Sequence, residues 1–168
     1  MQEAKQKSDV LLVNRNFTDL NPIVAGQESC LPNHRFGPAV RWYTLLHCVL
    51  SGKGTYTCGG VTYPVAAGQI FRILPGEETV YMADSRDPWH YCWIGFDGRL
   101  SERMRELPPV FPASAAVTTI FRLVTEQSGA SEYGIASNLF RLYDALFSGQ
   151  EPSSNEYVRR IRSFIEAM

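Results

Sequence analysis

The chain has 168 residues, 45% of them hydrophobic and 20% charged, with 16 basic against 17 acidic side chains. That length buries one substantial core, and a net charge of -1 excludes the strongly basic surface with which a nucleic-acid-binding domain grips phosphates. No run approaches the roughly 18 apolar residues of a membrane span. Residues 1–9 are too polar for a signal peptide, and Cys30, Cys48, Cys58 and Cys92 form no CxxC pair; reduced thiols in a cytoplasmic protein are expected.

From residue 10 to about residue 96, short apolar or alternating runs are separated by Gly, Pro, Asn and Asp, the punctuation of an all-β barrel or sandwich. Strands are predicted over 10–14, 23–28, 42–50, 54–58, 61–64, 70–74, 79–83 and 89–96. Gly59 and Gly60 read as the two-residue turn of a hairpin. The Pro75-Gly76 pair closes the run 70–74, and GKG at 52–54 is a further turn, since it lacks the third glycine and following helix of a dinucleotide fingerprint.

After Gly98 the period changes. Val117, Ile120, Phe121 and Val124 recur at helical spacing, and Ile135, Leu139, Leu142 and Leu146 follow an i, i+4, i+7, i+11 seam, so two helices are predicted. The small and polar stretch 127–133 is short enough to fold them back as an antiparallel pair. Packing on the barrel and a share in a dimer seam are both open to Val117 and Ile120. The run SGQEPSSN ending at Asn155 has linker composition, and Val158, Ile161 and Ile165 then open a new amphipathic helix with Asn155 as its cap.

The strand 89–96, WHYCWIGF, carries the most information about chemistry. Alternation sends Trp89, Tyr91, Trp93 and Gly95 to one face and His90, Cys92, Ile94 and Phe96 to the other. Three rings in a row make an aromatic wall of the kind on which sugars and other flat polyols stack; for any single ring, core packing or plugging of a barrel is the competing reading. His34, His47 and His90 belong to no HxH, HxxxH or HExxH arrangement. His47, flanked on its face by Leu45 and Val49, reads as a hydrogen-bonded core histidine. No metal and no cofactor are therefore expected, and neither a GxSxG elbow nor a P-loop is present. Arg35, Arg41 and Arg72 each sit in or beside an apolar strand region, where a permanent charge needs a carboxylate or a ligand oxygen; one of them is expected to face a pocket.

The segments HRFGP at 34–38, YTLLHCVLSGKGTY at 43–56, AGQIFRILPGEETVY at 67–81 and PWHYCWIGFDG at 88–98 together resemble the regulatory domain of AraC-type transcription regulators. The resemblance implies an α+β fold: a cupin-like β-barrel of jelly-roll type that binds an effector, often a sugar, followed by an antiparallel α-helix pair that dimerises. The implied organisation is an N-terminal arm and first strand at 1–20, the effector-binding barrel at 21–98 and dimerisation helices at 99–148. A linker at 149–155 and the start of a truncated DNA-binding domain at 156–168 complete it. By position, the family's sugar-stacking tryptophan falls on Trp93, its pocket tyrosine on Tyr81, its pocket histidine on Tyr91, and its sugar-binding arginine near Arg35 or Arg41. Trp89 joins these as a ligand-binding candidate from the aromatic wall, and Ile135, Leu139, Leu142 and Leu146 are the expected dimer seam. The metal-binding histidine set of cupin enzymes does not match this sequence. The partners implied are a small-molecule effector, a second copy of the chain, and DNA only through a further domain; a metal-dependent cupin isomerase or dioxygenase is the alternative.

Overall fold

The computed structural model describes residues 6–126, 131–148, 163–165 and 167. The linker at 149–155, residues 1–5 of the arm and most of the helix expected at 156–168 lie outside these residues. Ten strands come first: β1 (Gln6–Leu11), β2 (Asn21–Ser29), β3 (Arg35–Val40), β4 (Thr44–Ser51), β5 (Lys53–Cys58), β6 (Val61–Ala66), β7 (Gln69–Ile73), β8 (Glu78–Ala83), β9 (His90–Asp97) and β10 (Val110–Pro112). A 3-10 helix, Arg99–Glu106, lies between β9 and β10, and α1 (Ala115–Glu126) and α2 (Glu132–Phe147) follow. Among the described residues, no helix is long and apolar enough to cross a membrane.

The strands form two antiparallel sheets, one in the order β1-β2-β9-β4-β7-β10 and one in the order β3-β8-β5-β6. This is the cupin-like barrel with a helix pair that the resemblance implied. The β5–β6 hairpin turns through Gly59 and Gly60, whose φ angles of 55° and 76° suit a left-handed turn that side chains resist. At Pro75-Gly76 the Glu77 amide donates to the Leu74 carbonyl at 3.2 Å.

Three strands differ from expectation. β1 begins four residues earlier than predicted because its polar residues face solvent from a sheet edge, which hides the alternation. β3 was not predicted: its RFGPAV sequence is mostly exposed, and Pro38 interrupts the pattern where the register against β8 shifts between Phe36 and Ala39. Proline fits such an irregularity because no ladder donor is needed there. β10 is only three residues long, below the length at which alternation is visible.

Alternation divides the six-stranded sheet into two cores. Its outer face presents Ala25, Leu46, Cys48, Ile70, Cys92, Ile94 and Phe96, which pack against Val117, Ile120, Phe121 and Val124 of α1 and Ile135, Leu139, Leu142 and Phe147 of α2. Each fully buried Leu, Ile or Phe contributes on the order of 1.5–3 kcal/mol. Ser131 caps α2 by accepting from the Gly134 amide at 3.2 Å, which satisfies one of the first-turn donors. The inner face presents Leu45, Val49, Phe71, Ile73, Tyr91 and Trp93 to the second sheet.

This packing corrects the expected dimer seam. Ile135, Leu139 and Leu142 are buried in the protomer's own core, and Leu146 packs partly buried against it. Ile135, Leu139 and Leu142 cannot meet a partner without leaving that core, whereas Leu146 keeps some exposed surface. The exposed aromatic side chains of α2 are Tyr133 and Phe140, on another face.

Candidate functional site

The inner core does not close completely. At one end of the barrel a cavity of about 230 Å³ is bordered by Val24 and Glu28 of β2, Leu45 and His47 of β4, and Tyr91 and Trp93 of β9. The second sheet adds Phe36 and Tyr81, the β3–β4 turn adds Arg41 and Tyr43, and Lys7, Asp9, Val10 and Leu11 of the edge strand β1 stand at the mouth.

Backbone pairing places the indole. Trp93 lies opposite Gly26 on β2, where a Cβ would collide with its Cζ2 and with the Ser8 carbonyl oxygen of β1. Gly26 is therefore the space in which the Trp93 ring sits. Tyr91 meets Trp93 at 5.8 Å between centroids and Tyr81 at 6.1 Å; Tyr81 in turn stacks on Phe36 at 5.3 Å and 13°. Burial pushes the pKa of both tyrosine hydroxyls well above the ordinary phenol value, with Tyr81 and Cys30 adding to the effect on Tyr91. Both phenols stay protonated and can donate.

Trp89 does not border the cavity. It is 1% exposed, stacks on Phe71 at 5.6 Å and 23°, and fills space left by Gly54, whose Cβ would strike its ring. The expected three-ring wall is thus two rings of β9 with a third, Tyr81, contributed by the other sheet, while Trp89 plugs the barrel interior.

The arginines separate in the same way. Arg41 borders the cavity with its guanidinium 4.6 Å from the Phe36 ring centroid. Arg35 is exposed at the start of β3 and lies outside the lining. Arg72 is buried outside the lining, where its Nε donates to the Leu107 carbonyl at 2.6 Å and a terminal nitrogen, which makes no hydrogen bond among the described residues, pairs with Glu77 at 3.8 Å.

His47, expected in the core, is a cavity residue. Its ring stacks on Phe71 at 4.5 Å and 7° and lies 4.9 Å from Tyr81, 5.0 Å from Tyr91 and 6.0 Å from Trp93. Its buried Nδ1 makes no hydrogen bond among the described residues. Burial, and then the Arg41 charge, hold the imidazole well below its ordinary range. A neutral imidazole offers one donor and one acceptor. Only the register pairing His47 with Trp93 reveals this placement; its apolar neighbours in sequence do not. Glu28 and Tyr43 were missed for the same reason.

The cavity therefore combines ring faces with a guanidinium, a carboxylate, a neutral imidazole and phenol donors. Such a set can hold a ligand that is apolar on one face and hydroxylated at its rim.

Residues 21–156 match the model of the AraC-like ligand binding domain. The Msm operon regulatory protein of Streptococcus mutans is 28% identical over 172 residues, which cover 90% of this chain and 62% of that protein. The raffinose operon transcriptional regulatory protein RafR of Pediococcus pentosaceus is 40% identical over 87 residues, covering 51% of this chain and 31% of RafR. The chain thus spans less than two thirds of either relative. Among solved structures, the protein YhaK from Escherichia coli superimposes with a TM-score of 0.52 at 18% identity, over 65% of this chain and 52% of YhaK, a likeness of fold alone. Because the family match extends over most of its length, this chain belongs to the AraC-like ligand-binding domains.

Proposed function

We propose that this domain is the effector sensor of a sugar-responsive transcription regulator and binds one sugar ring inside the barrel. The observation that carries the reading is the cavity in which Trp93, Tyr91 and Tyr81 present ring faces beside Arg41, Glu28 and His47. In this arrangement the apolar face of a pyranose stacks on Trp93, Arg41 and the phenols donate to its hydroxyls, and Glu28 accepts from them. His47, neutral at physiological pH, serves either role at the cavity floor. The domain acts by binding and not by catalysis.

Size and relatives narrow the ligand class. About 230 Å³ lies below the roughly 300–1,000 Å³ typical of small-molecule pockets and suits a single hexose ring, with further sugar units extending through the mouth. One relative is named for a raffinose operon and another, from Staphylococcus xylosus, for a lactose operon. Raffinose and lactose both contain a galactose unit, which makes galactosides the first class to test here.

The edge strand β1 pairs with β2 from Gln6↔Ser29 to Leu11↔Val24 and borders the mouth, so in this reading the arm at 1–20 closes over ligand. Any switch requires the effector to bind one arm position better than another. DNA contact belongs to a separate domain, in keeping with the net charge of -1. Homodimerisation uses an exposed surface such as the Tyr133 and Phe140 face of α2.

A thermal-shift screen of mono-, di- and trisaccharides tests the reading. A sugar present at about 100 times its dissociation constant adds about 2.7 kcal/mol of stability, a rise of several degrees. If no sugar raises the midpoint, the effector is of another class.

A further inference from the structure

Three side chains of different chemistry converge where β2 leaves the sheet. Glu28 is the penultimate residue of β2, Cys30 follows the strand, and His34 returns after a turn in which its amide donates to the Leu31 carbonyl at 3.0 Å. Asn33, at φ 60°, is the left-handed residue that the reversal requires, a conformation asparagine tolerates better than most. A carboxylate oxygen, the thiol sulfur and a ring nitrogen all lie within 4.8 Å of one another. Glu28 and Cys30 are buried, and the His34 side chain is 26% exposed.

The backbone fixes all three positions. Glu28 pairs with Tyr91 of β9, the Cys30 amide donates to the Trp89 carbonyl at 3.0 Å, and the His34 carbonyl accepts from the Ala83 amide at 2.9 Å. The donor set is therefore held by neighbouring strands and not by a free loop.

The spacing has the dimensions of a shared ion. His34 Nε2 stands 3.6 Å from Glu28 Oε1. A direct charge-assisted hydrogen bond is shorter, about 2.7–2.9 Å. Nitrogen and oxygen ligands each about 2.0–2.2 Å from one tetrahedral zinc ion stand roughly 3.4 Å apart. A sulfur, nitrogen and oxygen set also favours a borderline-soft transition metal over calcium or magnesium, which take oxygen ligands.

We propose that Glu28, Cys30 and His34 form a zinc-type metal site in the wall of the cavity. Glu28 itself borders the cavity, and its strand partner Tyr91 is a second lining group. Binding releases the Cys30 thiol proton to solvent, so a dication raises the local charge by one beside the cavity. Three protein ligands leave one tetrahedral position for water or a hydroxyl. The inference stands on these three residues and does not depend on the sugar reading.

The test is cobalt titration of the full chain, reduced and stripped with chelator, followed by displacement with zinc. One ion per chain is expected, with tetrahedral visible bands and a thiolate-to-cobalt charge-transfer band that Cys30→Ser removes. His34→Ala, at a partly exposed position, is expected to retain the circular dichroism spectrum and to weaken binding by roughly tenfold or more, since even outer-shell partners of a ligand cost that much. If Cys30→Ser fails to fold, His34→Ala alone decides. The site is refuted if the parent chain binds neither cobalt nor zinc stoichiometrically, or if His34→Ala binds as tightly as the parent.

Discussion

The two faces of the six-stranded sheet are made by alternate residues of the same strands, yet they are filled in opposite ways. On β9, Cys92, Ile94 and Phe96 face outward into an aliphatic core closed by α1 and α2. Tyr91 and Trp93 face inward, where the packing stops short and leaves a cavity. On β4 the same division puts Leu46 and Cys48 outside and His47 inside. The outer face spends its apolar surface on stability; the inner face keeps polar groups and open volume that a stability-driven core would eliminate. Glycine marks the difference, because Gly26 makes room for a ring that borders empty space.

The largest effect expected from this contrast is on the outer face. Leu142→Glu introduces a carboxylate into a fully buried site of α2 and should cost about 4 kcal/mol or more, seen as loss of the cooperative thermal transition. Phe140→Glu on the exposed side of the same helix should change the stability of the monomer, measured at a concentration too low for association, by less than about 0.5 kcal/mol. A folded, monomeric Leu142→Glu protein would break the comparison and restore the seam as a dimer contact.

A smaller effect is expected at the boundary between the faces. Gly26→Ala drives a methyl group into Trp93 and the Ser8 carbonyl, and should cost about 1–3 kcal/mol while weakening any ligand that stacks on the indole. Unchanged stability and unchanged affinity would show that the indole does not depend on that space.

The smallest effect is at His47. The folded state holds its imidazole below the ordinary value of about 6.5, so the unfolded chain takes up the proton first. Stability is full above about pH 6.5 and falls as the pH drops toward the folded-state value, by at most about 1.4 kcal/mol per pH unit. His90, also held low by burial and by Arg122, adds in the same direction. His47→Phe should therefore change stability at pH 7 by less than about 1 kcal/mol and reduce, without abolishing, the loss between pH 6.5 and 5 in denaturant titrations. An unaltered acid slope would mean that His47 does not titrate on unfolding.

Local pattern made much of this molecule legible. The inner and outer faces of β9, the glycine hairpin and the buried stripes of α1 and α2 all follow from alternation or helical period. Pattern failed where solvent relaxes it, at the polar edge strand β1 and at β3 with Pro38. It failed again where function depends on pairing between distant strands. Trp93 and Tyr91 were readable within one strand, whereas His47 and Glu28 become cavity residues only through the register of β9 against β4 and β2. Trp89 shows the converse: it shares a face with Tyr91 and Trp93, but lies deeper along the barrel, a distance that alternation does not encode. The Ile135, Leu139, Leu142 and Leu146 seam, expected to serve both the barrel and a partner, packs on the protomer's own core, because period identifies a buried face without naming what buries it.

The central claim, that the unfilled inner face is a sugar site, is tested most directly by calorimetric titration of the sugar that most stabilises the domain. The parent chain, Trp93→Ala and Arg35→Ala should be compared, the last as a control outside the cavity. Loss of the stacking face should weaken binding by tenfold or more, about 1.4 kcal/mol or greater, in Trp93→Ala, with Arg35→Ala unchanged. Equal affinity in Trp93→Ala and the parent chain would contradict the claim and place the ligand elsewhere.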